Sequence, residues 1–463
     1  MMLWYNIDHC VLYKGNIMFF KEEIFFHSSE LVRSFASTHY PNLPLHPKMV
    51  EQLSWLQNNS VNTSQSNVNL PKTSINIEVK RALSRLNALT LLIEGGSLAH
   101  AAFVQSQLKD VLSEKNFNHL SHFIQELSLI SRKCLMATCF ITKSDQVINK
   151  VPEEKRNELP ADSEQFITYI VTYFPKLYPI CALLDHESIA LLKYAFYKNA
   201  HARQILDMEG GYNMVSGMAE AIRLRTITYE QYNLWFARWI INVAGLDGHV
   251  NHQGSIYLTE PVANCIWALK LELDQLWINS NHQVIDNYLV FRKKQLEVND
   301  IYTAYLGALM RQYQPKIGRD IMAWFENLSA DERQKKIKMF QLQLTSTKVT
   351  PTFKPTVLVG LLELGCSISY ALTIFTEIES QTMQIYMNAI ANDRMSSSTP
   401  LSYRSLALKD CLIAIKDYYD RYHTLPEFTI NSGGYLGVAT GALEEKVSLG
   451  RYEKNSIISV VSC

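Results

Sequence analysis

From Ile77 to His423 one pattern recurs: apolar residues three and four positions apart, halted at short intervals by Gly, Pro or a Ser/Asn/Asp cluster. That period buries one stripe of a helix and is wrong for a strand, which alternates every second residue. "VKRALSRLNALTLLIE", 79–94, keeps the period and stops at Gly95-Gly96. "SLAHAAFVQSQLKDVLS" is the next expected helix, with Ser97 as its cap, and "FNHLSHFIQELSLISRKCLMATCFI" is expected as one long helix after it. Between 165 and 245 the spacing predicts dense helix, including one helix over "ESIALLKYAFYKNAHARQIL". Thr228 with Gln231, and Ser329 with Glu332, have the spacing of capping boxes.

The expected fold class is therefore mainly α: a multi-helix bundle or irregular helical array, with a small β-hairpin element at the N-terminus. "CVLYKGNIMFF" supplies that hairpin signal, two apolar runs around Lys-Gly-Asn. The composition shifts divide the chain as follows. Residues 1–56 form a small N-terminal α/β element, and the Asn/Ser-rich 57–76 a polar linker or mobile loop. Helical subdomains cover 77–142, 163–343 and 355–422, and 423–463 is a Gly-rich tail. No fixed-period repeat runs through the chain, which speaks against a solenoid.

Charge narrows the function. Lys+Arg and Asp+Glu each number 44, so the formal net charge is zero, and a dedicated nucleic-acid binder would need a basic excess. The eight cysteines are scattered with no CxxC, which fits reduced, buried thiols. "MMLWYNIDHC" has no basic n-region ahead of an apolar run, so no signal peptide is expected there. "PTVLVGLLELGCSISYALTIF", 355–375, reads as one apolar helix long enough to span a bilayer. Glu363 near its middle favours a buried core helix, with membrane association through 355–375 as the competing reading. Cys366 inside this helix would be an inert thiol.

One stretch breaks the helical monotony: "VAGLDGHVNHQGSIYLTEP", Val243 to Pro261. Gly245, Gly248 and Gly254 suit a chain reversal between two helices, and that is the leading expectation. The competing one is a divalent transition-metal site on Asp247, His249 and His252, since nearby imidazoles and a carboxylate can converge on one ion. Further ligands would come from Asp185, His186 and Glu187 in "LLDHES", or from His201, Asp207 and Glu209 in "NAHARQILDMEGG". The Asp185-His186 order resembles His-Asp hydrolases in residue type but not in spacing. A calcium loop fails because His249 would stand where the hard carboxylate belongs. A Fic-type loop fails for want of its Gly-Asn-Gly-Arg. The catalytic candidates are His249 and Asp247 in the turn, and His122 with Glu126, four apart on one helix face. "DMEGGYNMVSG", 207–217, lacks the Lys-Ser/Thr of a phosphate loop and reads as a helix–helix corner.

The C-terminus carries a resemblance. Glu444, Glu445 and Glu453, followed by Ile457, Ile458, Val460 and Val461, resemble the short, Glu-containing, apolar-ended tails of effectors exported by type IV secretion systems of intracellular bacteria. The resemblance implies export from the bacterial cytoplasm into a host cell without an N-terminal signal peptide. It also implies a host protein or lipid as the target. The expected function is a secreted virulence effector with a helical, partner-binding body. The alternatives are a metal-dependent hydrolase or group transferase with a site around 245–256, and a membrane-associated protein.

Overall fold

The computed structural model describes residues 29–59, 75–160, 162–197, 202–246, 248, 250–345, 352–396, 401–431 and 434–438. The expected N-terminal hairpin, most of the polar linker, Asp247, His249, His201 and the effector-like tail lie outside the described residues. Two compact units emerge from the contacts. Among the described residues, one contains those up to Phe196 together with those of Ile240–Thr259, the other those of Tyr197–Trp239 and those from Glu260 to Val438.

The first unit is built from α1 (29–39), α2 (Pro47–Asn59), α3 (Ile77–Glu94), α4 (Gly96–Val104), α5 (Glu114–Glu126), α6 (Leu129–Thr138), α7 (Asp145–Lys150), α8 (Glu153–Arg156), α9 (Ser163–Tyr173) and α10 (His186–Ala195). α3 is central: Leu83, Leu86, Leu89 and Leu92 lie on its buried face, and α5 packs against it with Phe117, Leu120 and Ile124 inward. The stretch expected as one helix over 117–141 is two. Leu127 turns extended, and the Ser128 hydroxyl accepts the Ser131 N–H to start α6. Ser-x-x-Ser is half a capping box, and the apolar period runs through the break because each helix has a buried face of its own. Ser97 is not a cap: α4 starts at Gly96, after Gly95, with no side-chain cap. α10 ends at Ala195, well before the Leu206 to which the periodicity carried it.

The second unit continues with α11 (Ala202–Leu206), α12 (Asn213–Arg223), α13 (Tyr229–Ala244), α14 (Glu260–Asp274), α15 (Val284–Leu296), α16 (Ile301–Leu309), α17 (Pro315–Glu326), α18 (Ala330–Thr345), α19 (Lys354–Glu363), α20 (Ile368–Ala391) and α21 (Lys409–Tyr422). The last residues of α13, from Ile240, belong to the first unit. Both capping boxes form: Thr228 and Gln231 exchange bonds of 2.9 and 3.2 Å, Ser329 and Glu332 bonds of 3.1 and 3.3 Å. After α21 come β1 (Phe428–Ile430) and β2 (Leu436–Val438), an antiparallel pair with Phe428 opposite Val438. The described chain is thus mainly α, with one small hairpin in the region read as a Gly-rich tail.

The apolar stretch 355–375 is not one helix. α19 stops at Glu363 and α20 starts at Ile368. Gly365 takes φ +82°, its N–H donates to the Leu362 carbonyl (2.9 Å), and the Cys366 N–H reaches back to Leu361 (3.3 Å). This is a Schellman stop, which needs a left-handed residue and therefore favours glycine. Ser367 then caps α20 through the Tyr370 N–H. Cys366 sits in this turn rather than inside a helix, half-buried, with its thiol pushed up by burial. Among the described residues no helix is long and apolar enough to cross a membrane.

Candidate functional site

The turn after α13 is held by its backbone. Ser255 donates its N–H to the Phe103 carbonyl (2.8 Å) and its hydroxyl to the Ala244 carbonyl (2.8 Å). The Gln107 amide donates to the carbonyls of Ser255 (2.7 Å) and Leu258 (3.0 Å). Ser106 donates to the Gln253 carbonyl. Gly254, at φ +68°, lies so close to α4 that a Cβ would come 2.5 Å from the Ala102 carbonyl oxygen and nearer still to that of Phe103. Gly245 and Gly248 press in the same way on Arg85 and Ser84 of α3. The glycines thus let one strip of backbone lie flat against α3 and α4.

His252 serves that packing. Its ring lies 4.5 Å from the His39 ring, edge-on to Phe35 at 5.0 Å, and 6.1 Å from Tyr40, so α1 and the residue after it build an aromatic pocket around it. Its Nδ1 is 3.1 Å from the Gly248 carbonyl oxygen. Burial, with the neighbouring His39, pushes the imidazole below its ordinary value and favours the neutral ring. Beneath it the Tyr40 hydroxyl meets Ser84 Oγ at 2.9 Å, and burial pushes the phenol up to about 12. His39, the neighbour that matters most, was not among the sequence candidates. It lies in a separate helix, and no spacing rule connects it to residue 252.

The other sequence candidates are apart from this turn or outside the described residues. His122 Nε2 and Glu126 Oε1 meet at 3.0 Å on an exposed face of α5. An exposed i,i+4 pair is worth a few tenths of a kcal/mol. His122→Ala is expected to change unfolding free energy by less than about 0.5 kcal/mol in urea titrations; a larger loss would give the pair a role beyond surface pairing. Asp185 caps α10 by accepting the Ser188 N–H (2.8 Å), and His186 beside it is exposed. Among the described residues no three His, Cys, Asp or Glu side chains are grouped to hold a metal ion.

Two polar constellations in the second unit have pairings that no spacing rule gave, although Asp207 and Glu209 of the larger one stand among the candidate ligands of the sequence. The tighter imidazole–carboxylate pair is His282 Nε2 with Glu272 Oε2, at 2.6 Å, with Asn287 Nδ2 donating to the same oxygen at 3.0 Å. The larger one is a buried charge network. Arg311 Nε donates to Asp207 Oδ2 (2.9 Å), and Glu209 accepts the Phe353 N–H at the start of α19. Lys354 Nζ lies 3.0 Å from Glu379 Oε2, with side chains 1% and 0% exposed. The Gln343 amide donates to that same oxygen and accepts from the Tyr305 hydroxyl (3.0 Å). Burial first, then the Asp207 charge, pushes Glu209 up to about 7. Gly211 ends this loop against the Leu344 carbonyl, where a Cβ would come within 2.7 Å, so the Gly210-Gly211 pair forms the expected helix corner.

Comparison with known proteins finds no match: no family model, no curated protein and no solved structure.

Proposed function

We propose that this chain is a helical binding protein whose first unit presents an apolar surface to a partner protein, and that it is a bacterial effector delivered into a host cell. The observation that carries the binding reading is the exposure around the 245–258 turn. Three of the four most exposed large apolar side chains among the described residues are Leu108 (95%), Leu98 (88%) and Val250 (71%). They sit on α4, the loop after it and the turn, elements tied together by the Ser106, Gln107 and Ser255 bonds. The His100 ring at 2.8 Å from the Leu112 carbonyl closes the same loop back on α4. Apolar side chains held out on a fixed backbone are poor for solubility and good for a partner. The delivery reading rests on the Glu-rich, apolar-ended tail alone. A host protein is favoured over nucleic acid by the zero net charge.

The test pairs wild type with Leu98→Asp/Leu108→Asp/Val250→Asp. These positions are exposed, so circular dichroism should be unchanged. Cross-linking capture of the host partner should fall by about 100-fold or more, since each buried apolar side chain contributes roughly 1.5–3 kcal/mol. Unchanged capture would sink the binding reading. Delivery is checked separately: a translocation reporter fused to the chain should lose its host-cell signal when 444–463 are removed.

A further inference from the structure

We propose that Glu272, His282 and Asn287 form one face of a binding site for a divalent first-row transition ion in the second unit. Glu272 lies in the last turn of α14, His282 in the turn that follows, and Asn287 in the first turn of α15. Their polar tips make a triangle. His282 Nε2 is 2.6 Å from Glu272 Oε2, Asn287 Nδ2 is 3.0 Å from the same oxygen, and the two nitrogens are 3.2 Å apart. An ion about 2.1 Å from each of two ligands at right angles sets them about 3.0 Å apart, whereas tetrahedral ligands stand about 3.4 Å apart. The triangle therefore matches a face of an octahedron, its shortest edge being a hydrogen bond that the ion replaces. A half-turn about χ2 exchanges the amide nitrogen and oxygen, so Asn287 can donate to the carboxylate without an ion and offer Oδ1 to one. His282 then binds through Nε2 and carries its proton on Nδ1.

The frame is set before any ion arrives. The Asn279 carbonyl accepts the His282 N–H (3.0 Å), and the Asn279 side chain accepts the Asn281 N–H (3.1 Å), which fixes the turn. The Asn287 N–H donates to the Gln283 carbonyl (3.1 Å). Leu273 and Leu276 before the turn, and Val284, Ile285 and Tyr288 after it, are buried and anchor both sides. Charge then calls for a cation. Among the described residues no lysine or arginine ion-pairs with Glu272, whose partners are the imidazole and the amide. The Glu272 and His282 side chains are 26% and 21% exposed, so water reaches the tips and fills the positions the protein leaves open. The donor set chooses the ion. An imidazole favours the manganese-to-zinc series over magnesium and calcium, and with no thiolate the site does not select soft ions.

A cobalt(II) titration of the full chain, first stripped with a chelator and followed by visible absorption, reads the site. One equivalent should bind saturably, and zinc should displace it. Glu272→Gln and His282→Ala should each weaken binding at least about 10–100-fold, the loss that even a residue one step behind a metal ligand causes. Asn287→Asp puts a carboxylate where the amide oxygen would bind, so it should hold the ion more tightly than wild type. His122→Ala, which breaks the exposed pair on α5, should leave binding unchanged. Four outcomes would overturn the site: no saturable binding, loss of the ion in His122→Ala, Asn287→Asp binding no tighter than wild type, or undiminished binding in Glu272→Gln and His282→Ala. The last would mark an adventitious ion only. If either of those two variants does not fold, Asn287→Asp still decides.

Discussion

Glu379→Met should unfold the second unit about 3–5 kcal/mol more easily than wild type. The carboxylate is fully buried, and its Oε2 is the atom that faces the Lys354 ammonium and accepts the Gln343 amide. Removing it leaves a buried ammonium uncompensated, the costliest way to break such a pair. Lys354→Met should cost a similar amount, for it strands the Glu379 carboxylate. The double variant Lys354→Met/Glu379→Met should lose much less than the sum, because neither charge remains. Urea denaturation followed by tryptophan fluorescence reads the right region, since Trp235, Trp239, Trp267, Trp277 and Trp324 all belong to the second unit. Strictly additive losses in the double variant would show that the two groups do not depend on one another.

The pairing within that network was invisible in the sequence for a physical reason, although Asp207 and Glu209 stood out there as candidate ligands. Its members come from the loop after α11 (207 and 209), the residues just past α16 (311), and α18, α19 and α20 (343, 354 and 379), and a buried charge looks in one dimension like any surface charge. The signals that could be read are the local ones. Capping is decided within four residues, so Thr228–Gln231 and Ser329–Glu332 were legible before any coordinates. Asp185 at a helix start was legible for the same reason. Helix ends inside long apolar runs were not. Through Leu127–Ser128 and through Leu364–Ser367 the chain buries residues on both sides of a break, so the apolar period continues while the backbone turns. Gly365 followed by Ser367 carried the stop and the restart, but a run so apolar drowned them. The turn at 245–258 lay between these cases. Its glycines announced a reversal, while the backbone they approach, at Ser84, Arg85, Ala102 and Phe103, is distant in sequence.

Gly254→Ala tests whether that approach is what the turn is for. Alanine at φ +68° costs about 1–2 kcal/mol, and its methyl would overlap two carbonyl oxygens of α4, for a total of roughly 2–5 kcal/mol. The carbonyls cannot yield cheaply, because Phe103 is already accepting the Ser255 N–H. Gly96→Ala is the control: it has a similar φ of +77° but nothing within 4 Å of the added methyl, so it should cost no more than about 1–2 kcal/mol. Calorimetry of the two variants separates the terms, since both strain the backbone and only one meets an obstacle. Equal losses would mean that conformation alone matters and that the contact with α4 is incidental. A larger loss in Gly254→Ala, accompanied by weaker partner capture, would tie the packing of this turn to the exposure of Val250. The glycines would then be the means by which the first unit holds its apolar side chains out to a partner.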